Sequence, residues 1–200
     1  MKITIINGQN HKECSWNMGQ ELVKALGEDN EITEFFLPRD MPHFCIGCAN
    51  CIYISEEKCP HYVSMKPIED AVSGAELLIF TTPTYVYHAS GSMKALLDHF
   101  AWRWIVHRPD GTSFSKQAVA VASSAGSTTK HTLNDIADSF KFWGIGRIYR
   151  FGMAVLASKW VEISPKKREK IEKKRKSSRI KSKSVTVNPT LPVFRNFSFS

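Results

Sequence analysis

Apolar runs of strand length alternate along this chain with segments whose apolar residues recur at helical spacing. The runs at residues 2–6, 31–37, 76–82, 116–122 and 148–156 are rich in apolar and β-branched side chains, and most of them stop at Gly, Pro, Asn or Ser. These runs predict five strands. Near-continuous apolar character is typical of strands that are buried on both faces, as in a parallel sheet.

The segments between the runs carry amphipathic helix patterns. Apolar stripes predict helices over residues 15–26, 65–74, 92–106 and 133–144. Strands that alternate with helices predict an α/β fold, a doubly wound, five-stranded parallel sheet of flavodoxin-like order 2-1-3-4-5 in a three-layer α/β/α arrangement. Ligands of such sheets bind outside the carboxyl ends of the strands, which here are the loops 7–15, 83–91 and 123–129.

Length and charge limit the number of domains. Two hundred residues, 42% of them hydrophobic, suffice for one domain with a tail. We expect a main domain at 1–161, a basic C-terminal helix at 162–183 and an irregular tail at 184–200. Residues 159–183 hold twelve Lys or Arg against three Glu, a net charge of +9, so the remainder of the chain sums to −1 within the total of +8. That distribution favours a solvated helix face and argues against nucleic acid as a partner.

Four of the five cysteines lie in one short loop, spaced Cys45-x2-Cys48-x2-Cys51-x7-Cys59. Two-residue gaps let thiols of a tight turn converge, and the longer gap lets a fourth return, as an iron-sulfur cluster requires. A zinc site, a redox dithiol or core-filling thiols remain open alternatives. The clustered thiols suit a reducing compartment. The sequence also has no apolar run long enough to span a bilayer and no secretory pattern at its start. We therefore predict a cytoplasmic protein without a membrane span.

The three loops predict one pocket. The first follows a strand and opens a helix, so its backbone N–H groups suit an anion, with Ser15 and Asn17 as added donors. It has neither a Walker sequence nor G-x-G-x-x-G, which favours a single phosphate monoester. The second loop offers Tyr85 and Tyr87 to a flat heteroaromatic ligand, although these rings could equally be core lids. In the third loop, the small residues at 123–128 allow a ligand to approach the backbone closely.

The order of these motifs resembles a known family. Asn7-Gly8 after the first strand, the cysteine run, Thr82-Pro83-Thr84-Tyr85 and the sequence GSMKALLD at 91–98 are similar to the NADPH-dependent FMN reductase and iron-sulfur flavoprotein family over about residues 1–161. The resemblance implies a flavodoxin-like fold, FMN bound without a covalent link, and electrons from NAD(P)H or a redox partner. It assigns no side-chain acid or base.

Site residues follow from the resemblance by position. The phosphate would meet Gly8, Gln9, His11, Ser15 and Asn17. The family's usual Gly-Ser-Pro-Arg loop is absent here, which removes an Arg and a hydroxyl, and His11 or Lys12 would have to compensate. The isoalloxazine ring and ribityl chain would border Pro83, Thr84, Tyr85, Val86 and Tyr87. The pyrimidine side of the ring would contact Ser124, Ala125 and Gly126. An iron-sulfur cluster would be bound by Cys45, Cys48, Cys51 and Cys59.

We therefore predict an FMN-dependent NAD(P)H oxidoreductase or electron-transfer flavoprotein with an iron-sulfur cluster, expected to be 4Fe-4S, that serves a redox partner or a small-molecule acceptor as a homo-oligomer. The alternatives are an FMN or quinone reductase without a cluster, and a non-enzymatic binding module. His88 is a candidate flavin contact. Two interpretations remain open for Arg103, His107 and Arg108. These residues contact the phosphates of a nicotinamide cofactor or line a subunit contact, or they belong to a helix end that is packed by aromatic residues. Nothing in the sequence distinguishes His43, His61, His99 and His131.

Overall fold

A six-stranded sheet organises the computed structural model, which describes residues 1–106, 111–177 and 180. The strands are Lys2–Asn7 (β1), Glu31–Phe36 (β2), Leu77–Tyr85 (β3), His88–Ala89 (β4), Gln117–Ser124 (β5) and Arg147–Ala154 (β6). Five strands are parallel in the order β2-β1-β3-β5-β6, and the short β4 pairs antiparallel with β3. Counted without β4, the parallel strands follow the predicted order 2-1-3-4-5, so the predicted fold is confirmed.

Helices cover both faces of the sheet. The helices are Cys14–Ala25 (α1), Asn50–Tyr53 (α2), Tyr62–Gly74 (α3), Gly91–His99 (α4), Ala101–Ile105 (α5), Lys130–Phe142 (α6) and Pro165–Ser177 (α7). Successive side chains of β3 alternate between the two hydrophobic cores: Leu78 and Phe80 pack with α3, α4 and α6, while Leu77 and Ile79 pack with α1 and α7. This burial on both faces explains the unbroken apolar run of β3.

The helix predicted over residues 92–106 is in fact two helices. Phe100 separates α4 from α5 with a backbone at φ −89° and ψ 16°, outside helical geometry. Its side chain is fully buried and packs against Trp143, with ring centroids 4.8 Å apart. Tertiary packing of this ring therefore accompanies a break that the continuous apolar stripe does not reveal.

The basic segment forms α7, which packs on the α1 side of the sheet. Ile171 is buried there, and Lys167 and Lys174 donate through Nζ to the carbonyl oxygens of Ala154 (2.6 Å) and Gly152 (2.7 Å) at the end of β6. Several of its cations thus satisfy backbone carbonyls of the domain. The predicted tail at 184–200 lies outside the described residues.

None of the helices within the described part of the chain is both long enough and apolar enough to cross a membrane.

Candidate functional site

The three predicted loops leave the same edge of the sheet. β1, β3 and β5 are neighbours, and their parallel register pairs Asn7 with Thr81 and Pro83 with Ser123 at their carboxyl ends. The loops that follow these strands are therefore adjacent in space, as the switch-point rule predicts for a ligand site.

A buried hydroxyl joins the first loop to the second. Ser90 donates through Oγ to the carbonyl oxygen of Gly8 at 2.7 Å and accepts from the Met93 N–H, so it also caps α4. A Cβ atom at Gly8 would lie 2.8 Å from Ser90 Oγ and 2.8 Å from Thr82 Oγ1. Such distances are closer than side chains tolerate, and glycine is therefore required where the two loops meet.

The start of α1 exposes a series of unpaired backbone donors. No side chain caps the helix, because the Glu13 carboxylate instead accepts from the Trp160 N–H at 2.8 Å. Within the described residues, the backbone N–H groups from 9 to 16 donate to no protein acceptor. Free N–H groups and the positive end of the helix dipole together favour an anion at this point.

The polar side chains of this loop have varied surroundings. Asn17 donates through Nδ2 to the carbonyl oxygens of Lys12 (3.1 Å) and Glu13 (3.0 Å), so its amide closes the loop. Lys12 Nζ lies 5.2 Å from the centroid of the Trp16 ring. Ser15 is buried in the first turn of α1, whereas His11 is exposed. Direct phosphate contact by Ser15, Asn17 or His11 stays a prediction.

The second loop contains a tight hairpin with uncommon backbone geometry. Thr84 pairs with Ala89 and Tyr85 with His88, which leaves Val86 and Tyr87 as the two turn residues. Val86 and Tyr87 have φ of 49° and 68°. A two-residue turn with positive φ at both positions usually takes Asn-Gly, and a β-branched residue there is strained. Strained backbone of this kind is concentrated at ligand sites.

The hairpin presents its side chains to solvent. The exposed fractions are 47% for Tyr85, 91% for Val86 and 57% for Tyr87. The alternative that these tyrosines are core lids is therefore not what the structure shows. Three large side chains held outward at a sheet edge provide an apolar and aromatic surface on which a flat ring can lie.

Helix α6 holds the hairpin in place through two residues that the sequence did not single out. The buried Thr132 hydroxyl lies 2.9 Å from Thr84 Oγ1 and 3.2 Å from the Tyr87 carbonyl oxygen. Asp135 accepts from the Ala89 N–H at 3.0 Å and lies 3.1 Å from His88 Nδ1. His88, predicted as a flavin contact, thus pairs with Asp135.

The third loop has the open backbone that the sequence predicted. Ser124 Oγ donates to the Ser127 carbonyl oxygen, which shapes the turn. Ala125 and Gly126 are exposed, and the backbone N–H groups of residues 125–129 donate to no acceptor within the described part of the chain. Together with the first loop, this backbone supplies donors on two sides of the exposed tyrosines.

The cysteine loop leaves β2 and packs beside α5 through α2. Cys45 and Cys48 are exposed, whereas Cys51 and Cys59 are half-buried, and all four are free thiols. Burial raises the pKa of the Cys51 thiol, and the neighbouring Cys59, Cys45 and Cys48 raise that pKa further. The thiols are therefore close enough to influence one another.

The predicted four-cysteine cluster site is not confirmed by this geometry. Within the described residues, the only ligating side chains that converge as a set of three or more are those of Cys59, His61 and His99. Neither histidine was distinguished by the sequence, because His99 follows His61 by 38 residues and belongs to another helix.

Arg103 packs against aromatic rings at the helix end. Its guanidinium carbon lies 4.9 Å from the centroid of the Trp102 ring, and an Nη atom donates to Ser73 Oγ at 2.8 Å. These contacts favour the packed-helix interpretation of this stretch. The other two predicted cations, His107 and Arg108, lie outside the described residues.

Comparison with known proteins identifies the family. The family model described as NADPH-dependent FMN reductase matches residues 1–164. An iron-sulfur flavoprotein of Clostridioides difficile is 30% identical over 103 residues, which span 49% of this chain and 45% of that relative. The chain therefore matches less than half the length of this curated relative. The predicted resemblance to this family is confirmed.

Solved structures share the fold at low identity. An FMN-dependent NADH-azoreductase from Bacillus anthracis, solved in complex with FMN, superposes with a TM-score of 0.63 at 11% identity, over 88% of this chain and 98% of that one. An NAD(P)H:quinone oxidoreductase from Methanothermobacter marburgensis gives 0.62 at 12% identity, over 86% and 93%. The Trp repressor binding protein from Bacillus subtilis gives 0.56 at 17% identity, over 90% and 100%. At these identities, the likeness establishes the flavodoxin-like fold.

Proposed function

The chain belongs to the NADPH-dependent FMN reductase family, and from that premise we propose that it is an FMN-dependent NAD(P)H oxidoreductase whose cofactor binds at the carboxyl edge of the sheet. The observation that carries the proposal is the run of backbone N–H groups from 9 to 16, which has no protein acceptor within the described residues and opens an uncapped helix at the end of β1.

The donor set fits a phosphate monoester. Several N–H groups and a helix dipole supply partial positive charge without a side-chain cation, which agrees with the missing Arg of the family loop. The backbone of Gln9, together with Ser15, would hold the phosphate, and Asn17 would act by closing the loop. The predicted donation from the Gly8 N–H is not available, because that group donates to the Thr81 carbonyl oxygen at 2.7 Å. His11 and Lys12 remain close enough in sequence to add positive charge.

The exposed hairpin and the third loop fit the rest of the cofactor. Tyr85, Val86 and Tyr87, with Pro83 and Thr84 at their base, would border the isoalloxazine ring and the ribityl chain. Ser124, Ala125 and Gly126 would face the polar pyrimidine side, because free backbone N–H groups of this loop suit ring carbonyl oxygens. When bound, FMN supplies an acceptor for hydride from a reduced nicotinamide and passes electrons on singly or in pairs.

The protein's own part is to bind and orient the cofactor. The hydrogen bonds from Ser90 Oγ to the Gly8 carbonyl oxygen and from the Ala89 N–H to the Asp135 carboxylate fix the two loops that would flank it. Because these anchors belong to α4 and α6, the loops are positioned by the rigid body of the domain, and such preorganisation lowers the ordering cost of binding.

The electron donor can be tested on the full chain. The protein should be purified anaerobically, reconstituted with FMN and freed of excess flavin, and then mixed with NADPH or NADH in a sealed cuvette. We expect one FMN per chain and bleaching of the flavin band by at least one nucleotide. Bound FMN that neither nucleotide bleaches would contradict the reductase and leave an electron carrier. A chain that retains no FMN would overturn the site itself.

We further propose that Cys45, Cys48, Cys51 and Cys59 carry an iron-sulfur cluster, of the 4Fe-4S type. The spacing and the name of the Clostridioides difficile relative support it. The loop would close around the cluster on assembly, since metal binding can supply folding energy to a short polar segment. Iron and acid-labile sulfide should be found in anaerobic preparations, and zinc without sulfide would favour the cluster-free reductase.

We also propose a homo-oligomer in the cytoplasm, with a redox partner or a small-molecule acceptor. Ile105 is 63% exposed, and the Trp104 and Phe142 rings stack beside it with centroids 4.0 Å apart. An exposed apolar patch between α5 and α6 suits contact with a second copy. Light scattering should give a mass above that of one chain, and Ile105→Glu should lower it. Lys24→Glu, at an exposed position of α1 on the opposite face of the sheet, is the control.

A further inference from the structure

Three metal-ligating side chains meet beside the cysteine loop in a set different from the predicted four cysteines. Cys59 Sγ and one ring nitrogen each of His61 and His99 all lie within 4.8 Å of one another. Cys59 and His61 stand just before and at the start of α3, and His99 is the last residue of α4. Two helices therefore hold the set together.

The hydrogen bonds of His99 orient its ring as metal-bound histidines are oriented. Nδ1 lies 2.7 Å from the Ala95 carbonyl oxygen, which can only accept, so Nδ1 carries the proton. In the neutral ring, Nε2 then has a free lone pair, and it points at His61 Nδ1 at 2.9 Å. Metal-ligating histidines characteristically donate their second ring N–H to a carbonyl or carboxylate. His99 is only 5% exposed, so this orientation is fixed by packing.

A third ring restrains His61. His43 stacks on it with centroids 4.4 Å apart and planes 6° from parallel. The His61 ring is thereby held with Nδ1 facing His99 Nε2, so that the two ring nitrogens lie close together.

We propose that Cys59, His61 and His99 form a mononuclear Zn²⁺ site, occupied when the cysteine loop carries no iron-sulfur cluster. Zinc accepts this mixed sulfur and nitrogen set, and its bond lengths place two tetrahedral nitrogen ligands about 3.3 Å apart. The observed 2.9 Å between the two ring nitrogens needs only a small opening. Zinc replaces the hydrogen bond between the rings.

Proton balance is simple for this site. Binding releases the thiol proton of Cys59, while His61 shifts its proton from Nδ1 to Nε2 and both rings stay neutral. One thiolate and two imidazoles leave a fourth position for water or another ligand, as in zinc sites with three protein ligands.

Cys59 belongs to both ligand sets, so zinc and the cluster exclude each other. This exclusion rests on the cluster proposed above, whereas the zinc site itself does not. The exposed Cys45 and Cys48 are dispensable for zinc and necessary for the cluster, which separates the two sites experimentally.

Co²⁺ is a suitable probe, because it takes the same geometry and gives visible d–d bands and a thiolate-to-metal band. The full chain should be stripped of metal with a chelator under reducing, anaerobic conditions and titrated with Co²⁺, then with Zn²⁺. We expect one equivalent of tetrahedral Co²⁺ with one thiolate, displaced by Zn²⁺. Flavin binding is scored separately, so failure here leaves the FMN proposal untouched.

Matched variants identify the ligands. Cys59→Ser and His99→Gln should weaken Co²⁺ binding by more than about 100-fold, since even changes to partners of metal ligands cost 10- to 100-fold. His61→Gln, at a half-buried position, repeats the test where the buried His99 variant loses its fold by circular dichroism. Cys45→Ser should bind as the parent does. Loss of binding in Cys45→Ser, its retention in the histidine variants, or no saturable Co²⁺ binding by the parent would overturn the site.

Discussion

At the carboxyl edge of the sheet, buried hydroxyls and a half-buried carboxylate fix loops whose tips remain open, whereas the cysteine loop exposes Cys45 and Cys48 and has few buried residues of its own. The first region has its shape before any ligand arrives. The second depends on what its thiols and histidines bind. A preformed pocket loses its conformational entropy when the protein folds, whereas a metal-binding loop loses it when the metal binds. The two regions should therefore respond differently to the same kind of mutation.

The largest effect should come from filling the contact between the first two loops. Gly8→Ala places a Cβ 2.8 Å from Ser90 Oγ and Thr82 Oγ1, and neither hydroxyl can move without breaking its bonds. Overpacking of this kind costs about 1–3 kcal/mol in the free energy of unfolding. Urea unfolding measures it. Gly74→Ala, where a Cβ meets nothing within 4 Å, is the control and should not destabilise the protein. Equal midpoints for the two variants would show that the loops are not preformed.

Removing the hydroxyl that joins the loops should have the next largest effect. Ser90→Ala deletes the cap of α4 and the bond to the Gly8 carbonyl oxygen, at a cost of about 1–2 kcal/mol. Thermal and urea unfolding measure the loss. Ser92→Ala, in the first turn of the same helix, should stay within about 0.5 kcal/mol of the parent. Similar values for both serines would contradict the anchoring role.

Loosening the hairpin should act more on binding than on stability. Asp135→Ala removes the acceptor of the Ala89 N–H and should cost about 1 kcal/mol of stability. Because Val86 and Tyr87 hold a strained turn, its release should also weaken FMN binding several-fold in a fluorescence titration. Asp138→Ala, at a half-exposed position of the same helix that does not contact the hairpin, should alter neither. Unchanged FMN affinity in Asp135→Ala would separate the hairpin from the site.

The smallest effect is expected in the cysteine loop. In metal-free protein, Cys48→Ser should change the free energy of unfolding by less than about 0.5 kcal/mol, since the thiol is exposed. In protein loaded with a cluster, the same change should remove most of the iron. A large destabilisation of the metal-free form would show that this loop, too, is preformed.

The fold followed from periodicity in the sequence, because a parallel sheet buries both faces of its strands. β3 reads as an unbroken apolar run for that reason, and its neighbours alternate with amphipathic helices. The interruption at Phe100 did not follow, because the apolar stripe continues through it and only packing against Trp143 distinguishes the residue.

The sequence predicted which three loops form the site, but it did not predict the residues that anchor these loops. Strand ends and small residues mark where a ligand can bind, whereas Ser90 and Asp135 act through partners 82 and 46 residues away in sequence. The two-residue β4 escaped notice because Val86 and Tyr87 lack the Asn-Gly signal of such turns. Likewise, His61 and His99 gain meaning only once α3 and α4 pack together.

The most direct test of the carboxyl-edge site compares FMN with riboflavin, which differ only in the phosphate. Equilibrium fluorescence titrations of the flavin-free full chain should give one FMN site, with riboflavin bound at least about tenfold more weakly, since even one hydrogen bond to a charged group contributes about 1.5–3 kcal/mol. Equal affinities for the two flavins, or no saturable binding of FMN, would contradict the phosphate cradle at the start of α1 and with it the proposed function.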